Sequence, residues 1–167
     1  MSEPRWLDQY TGQTTDELIG LNGVYRTDSI VLAFEQAIRE KAERIGHQNL
    51  TMPERVVLAV EALEREVNSD GYSGLFTSAS DQVPDLVEAL AAIGADAVAE
   101  LTRSAIGLLG IDGPLTAAAV ESAMDGENDV RDDRLDGYDQ AYYATAGDLA
   151  EPLLAFIGAN RDEIVLT

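Results

Sequence analysis

Apolar residues recur along this chain at intervals of three and four, the period of an α-helix with one buried face, and alternating strand-like segments are almost absent. Ile30, Phe34, Ala37, Ile38 and Ile45 mark the first long stretch. Thr27, Asp28 and Ser29 supply capping side chains before it and Gly46 a left-handed cap after it, which predicts a helix over about 28–45. Its other face, Glu35, Arg39, Glu40, Glu43 and Arg44, mixes signs and is expected to be solvated. Thr51, Met52, Pro53 and Glu54 form a capping box with proline in the first turn, and Val56, Val60, Leu63 and Val67 then give one buried stripe, with Glu54, Glu61 and Arg65 away from it. Asn68, Ser69, Asp70 and Gly71 break or bend the chain before Tyr72, Leu75 and Phe76 return to the core.

Further helices are predicted between Pro84 and Gly94, from Ala97 to Gly110, from Pro114 to Met124, over the aromatic segment Tyr138 to Tyr143, and after a capping Asp148. The stretch between Asp125 and Gly137, with six acids and two arginines, reads as an exposed loop, and residues 164–166 as an ambiguous tail. Residues 1–26 read as a polar leader, expected to be mobile, that carries one short helix at 15–19. Residues 27–167 read as a single all-α domain of about six or seven helices.

With 167 residues and 46% hydrophobic composition, the chain is long and apolar enough to fold by core burial alone. The absence of cysteine removes disulfides, thiol nucleophiles and Cys-ligated metal, and no apolar run approaches the roughly 18 residues of a membrane span, so the cytoplasm is the expected compartment. Charge changes the picture most. Thirty-one acids against eleven bases leave −20, which opposes direct binding to nucleic acid or anionic lipid and directs attention to a cationic partner. The excess leans C-terminal: 13 acids and 7 bases lie in residues 1–80, against 18 acids and 4 bases in residues 81–167. Ten arginines, one lysine and 23 alanines also fit GC-rich coding and an acidity adapted to salt, under which the surface charge is solvation only.

From Leu50 onward the chain resembles a bacterial family of small all-helical domains that includes a DNA-mimic protein. The resemblance is carried by Leu50 to Val57, Glu64 to Asn68, Gly71 and Tyr72, Leu75 and Phe76, Ala89 to Ala95, Tyr138 to Tyr143, and Asp148, Leu149, Phe156 and Ile157, in collinear order over about 110 residues. Ser69, Asp70, Tyr72, Leu75 and Thr77 stand where the family's centre usually has other residues. Glu66, Asn68, Gly71, Tyr72 and Phe76 lie in the most family-like motif; Glu66 and Asn68 are expected to hold the turn by accepting from amides near Gly71. The resemblance implies a homodimeric, non-enzymatic protein that occupies the DNA-binding surface of a regulator or nucleoid-associated protein. Such mimicry needs only carboxylates held rigidly at spacings like those of backbone phosphates, about 7 Å apart along a strand. The candidates are Asp81, Asp85, Glu88, Asp96 and Glu100 on two successive helices, with Glu121, Asp125, Glu127, Asp129, Asp132, Asp133 and Asp136. Alternatives are an immunity-type inhibitor of a cationic toxin and a structural or ligand-binding domain with haloadaptive acidity. Ala-rich faces at 97–105 and 117–123 are candidate dimer seams.

Chemistry of other kinds finds little support. His47 is the one histidine and sits at a helix end, and no phosphate-cradling glycine loop, serine elbow or zinc spacing occurs, so neither a catalytic group nor a cofactor is expected. Glu61, Glu64 and Glu66 suggest a carboxylate metal site but lack Glu-x-x-His partners. Asp125, Glu127, Asp129, Asp133 and Asp136 fit positions 1, 3, 5, 9 and 12 of a calcium-loop frame, yet Val130 replaces the turn glycine and Asp136 the bidentate glutamate, which favours a solvated acidic loop over a metal site.

Overall fold

The computed structural model describes residues 2–166. It is built from eight α-helices, α1 (Thr15–Gly20), α2 (Thr27–Ile45), α3 (Met52–Ser78), α4 (Val83–Ala92), α5 (Asp96–Gly107), α6 (Ala117–Ala123), α7 (Asp129–Thr145) and α8 (Ala150–Ala159), with no strand among the described residues. The all-α expectation holds, with eight helices rather than six or seven. No helix among the described residues is long and apolar enough to cross a membrane.

The long α3 is the axis of the fold, packed by α2 and α8 on one side and by α4, α6 and α7 on others. Its capping box forms as expected: Thr51 accepts from the amide of Glu54, and Glu54 accepts from that of Thr51 at 2.9 Å. Because neighbours surround it, all eight residues from Val56 to Leu63 are buried, not one stripe. This corrects the expectation that Glu54 and Glu61 point away from the core. Glu54 is fully buried and pairs with Lys41 of α2 at 2.6 Å; Glu61 is buried without such a partner. Glu35, expected to be solvated, is also buried, because α3 covers that face of α2. One of its oxygens accepts from Arg65 at 2.5 Å, and the other has no hydrogen-bond partner.

Two further expectations change. Thr27 does not cap α2; its hydroxyl donates to Glu151 of α8 at 2.7 Å, trading a local bond for one that joins two helices. The leader is pinned by backbone bonds between Arg5 and both Val24 and Arg26, and by the Leu7 amide donating to Ser29. At the other end, Ile164 and Leu166 are buried, and their segment accepts from Thr15, Thr51 and Lys41, joining it to the starts of α1 and α3 and to α2.

Candidate protein-binding surface

The stretch expected to be an acidic loop is a helix from Asp129 onward. Asn128 caps it by accepting from the Arg131 amide, and Asp129 and Asp132 place negative charge in the first turn, where the helix dipole favours it. Leu135, Tyr138, Tyr142 and Ala146 recur at i, i+3, i+7 and i+11 and face the core, which is why tertiary packing carries a helix through a sequence so rich in aspartate. The calcium-loop frame therefore does not form: from its fifth position onward the ligand residues radiate from a helix and cannot wrap an ion.

Helical spacing sets Asp129, Asp133 and Asp136 on the face opposite Leu135 and Tyr142, and all three are exposed. At about 1.5 Å per residue they follow one another along the axis by about 6 and 4.5 Å. Asp132, three residues before Leu135, lies on the flank nearer the core, is half-buried and pairs with Arg131 at 3.0 Å. Arg131 also reaches the carbonyls of Ala123 and Gly126, fastening the preceding turn to α7.

The anchor of this helix is the kink in α3. Asp70 and Gly71 leave helical geometry, and Gly71 adopts φ 71° and ψ −169°, a conformation essentially confined to glycine. A Cβ there would lie 2.1 Å from a carboxylate oxygen of Asp139. The other oxygen of Asp139 accepts from the Tyr72 amide at 2.7 Å, so Asp139 performs the turn-holding role expected of Glu66 and Asn68. Glu66 instead meets Arg65, and Asn68 donates back to the carbonyl of Glu64. Burial raises the pKa of Asp139; the Tyr72 amide opposes the shift and Asp136 adds to it. Tyr72 is fully buried, stacks on Phe76 and Tyr142, and shares a hydrogen bond with Thr102 of α5; burial pushes its phenol up to about 12. Tyr142 donates to Glu64, and Tyr143 donates to the carbonyl of Val67 at 2.9 Å.

Of the other candidate acids, Asp81 lies in the turn before α4, Asp85 and Glu88 on α4, Asp96 and Glu100 on α5, Glu121 on α6, and Asp125 and Glu127 before α7; all are exposed. Asp85 and Glu88 open onto a cleft shared with Met52 and Arg55 of α3, Glu100 pairs with Arg103, and Glu121 accepts from Ser80. The Ala97 to Ala105 face is partly spent within the chain, since Ala99 and Ala105 are buried. Asp139 is the residue that sequence reasoning missed. The apolar period from Leu135 to Ala146 was the available sign that it belongs to a helix facing the Gly71 turn.

No curated protein and no solved structure matches the chain. A family model described as DMP19-like protein matches residues 48–160, which takes in α3 to α8 and so both the Gly71 kink and the acidic helix it holds. Spanning more than half of the sequence, that match places the chain in the DMP19-like family, whose name denotes DNA mimic protein 19.

Proposed function

We propose that this chain is a non-enzymatic, homodimeric acidic protein that occupies the DNA-binding surface of a basic transcription regulator or nucleoid-associated protein. The observation that carries the reading is the row of Asp129, Asp133 and Asp136, unpaired with any described residue, on a helix anchored at Leu135, Asp139, Tyr142 and Tyr143. A carboxylate row on a fixed helix is already ordered before it meets a cationic groove, so binding loses little side-chain or backbone freedom. Asp85 and Glu88 on α4 supply a second patch for the same kind of contact. Between Ala79 and Ala146 the chain carries fourteen acids and three arginines, and the field of this segment attracts a basic partner from a distance.

The test is competition. A partner captured from native lysate at low salt is loaded with labelled duplex, and this protein is added. Displacement of the duplex supports the reading. A ternary complex, or equal displacement by a chain carrying Asp129→Lys, Asp132→Lys and Asp133→Lys, overturns it and leaves the acidity as solvation. Capture of a nuclease whose substrate groove is blocked instead supports the immunity-type alternative.

A further inference from the structure

Between α2, α3 and the turn before α8, a cleft of about 390 Å³ has Trp6, Val31 and Leu32 on its apolar wall, Asp28, Glu61, Glu64 and Asp148 as its carboxylates, and Arg65 beside them. Glu61 is only 6% exposed, yet no hydrogen bond or ion pair joins it to any described residue, and it borders the cleft. A buried carboxylate is ordinarily paired, because desolvation costs more than the fold recovers otherwise. The nearby cations are already committed. Arg65 serves Glu35 and Glu66, while Arg26 pairs with Asp28 at 2.7 Å and covers one face of Trp6 at 5.7 Å. Four carboxylates thus border the cleft against the single guanidinium of Arg65.

The shape of the cleft selects the kind of cation. No three acidic side chains among the described residues converge closely enough to ligate one metal ion, so the carboxylates suit a larger head group. They border the cleft from α2, from α3 and from the turn before α8, and carboxylates arriving from three elements suit the three radiating donors of an ammonium better than the planar fork of a guanidinium. Trp6, Val31 and Leu32 offer the surface that an aliphatic stem covers. We propose that this cleft binds an alkylammonium ion, with the charged head against Glu61, between Glu64 and Asp148, and the methylene stem along Trp6, Val31 and Leu32.

A proton is coupled to this binding. Burial, reinforced by Glu35 and Glu64, opposed by Arg65 and reinforced again by Asp28, pushes Glu61 up to about 8. At pH 7 about nine-tenths of the molecules then carry a protonated Glu61, and an arriving ammonium expels that proton. Calorimetric titration of the full chain with 1,4-diaminobutane, and separately with Nα-acetyl-lysine amide, reads both quantities when run in two buffers of different ionisation enthalpy. The expected result is saturable one-to-one binding with release of about 0.9 proton at pH 7, tightening about eightfold by pH 8.5 as Glu61 ionises. Glu61→Gln weakens it tenfold or more and abolishes the proton release. Leu32→Arg, at an exposed position that leaves the core untouched, does the same by tethering a cation in the cleft. Binding of the diamine alone supports a free aliphatic amine as the ligand; binding of the lysine amide extends the site to a partner's lysine side chain. Uptake without proton release, an isotherm unchanged in both variants, or an equal response to magnesium chloride overturns the proposal.

Discussion

Replacing Glu61 with glutamine removes an ionisation that the fold opposes, and the consequence for stability can be worked from its environment. The carboxyl is buried against α2 and its pKa rises from 4.5 to about 8, first through desolvation and then through Glu35 and Glu64. Between those two values the native chain keeps a proton that the unfolded chain releases. Stability attached to the neutral form is therefore complete below pH 4.5 and is lost as pH rises through 8. A full shift of this size corresponds to about 5 kcal/mol, of which about 3 kcal/mol is already lost at pH 7 and under 1 kcal/mol at pH 5. Glutamine imitates the protonated acid without titrating. Urea unfolding of wild type and Glu61→Gln at pH 5, 7 and 9 should give nearly equal midpoints at pH 5 and a growing advantage for the variant above it. Slopes should be equal, since the exposed surface is the same. A difference that stays flat from pH 5 to pH 9 would refute the reasoning, because it would mean that Glu61 ionises in the folded chain as easily as in water.

Gly71→Ala should lower stability by about 3 kcal/mol, combining a strained backbone with displacement of Asp139 from the Tyr72 amide; thermal unfolding checks it, and an unchanged midpoint would show that the kink is not held as described. Single reversals at Asp133 or Asp136 should each change partner affinity by about 0.2–1 kcal/mol at most, the range for exposed pairs, whereas the cluster reversal should abolish competition with duplex at 0.1 M salt. His47→Ala should leave partner binding intact, because the residue is exposed and outside both acidic patches; a folded variant that no longer binds would return the search to catalysis or a different surface. Sedimentation equilibrium at tens of micromolar should give a dimer, and a monomer throughout would remove that part of the proposed function.

The helical period, the Thr51 capping box and the core residues Val56, Val60, Leu63 and Val67 could be read from the sequence because each is a local signal that the packed structure keeps. What escaped was decided by neighbours remote in the chain. Glu35, Glu54 and Glu61 carry the residue type of a wet surface and are buried because α2 and α3 pack against each other. The acidic helix had no hydrophobic stripe dense enough to outweigh its aspartates and Gly137, so it read as a loop until Tyr142, Tyr143 and Asp139 found partners on α3. The acid positions proposed for partner contact were all visible as charge. That Asp129, Asp133 and Asp136 sit on a helix instead of in a loop was not, because that helix forms only through its packing against α3 and α5.

The closing of residues 164–166 onto the starts of α1 and α3 bears on how the chain folds in time. Thr15 meets Ile164 across 149 residues, Lys41 meets Val165 across 124, and Thr51 meets Glu163 across 112, and they join the Thr27–Glu151 bond, which also spans 124, in tying the end of the described residues to their beginning. Helices form within about a microsecond and short loops close faster still, but contacts so distant wait on a search through the whole chain. Residues 163–165 thus act as a latch between the start of α1 and the junction of α2 with α3, and local unfolding that releases them would free that junction and α1 together.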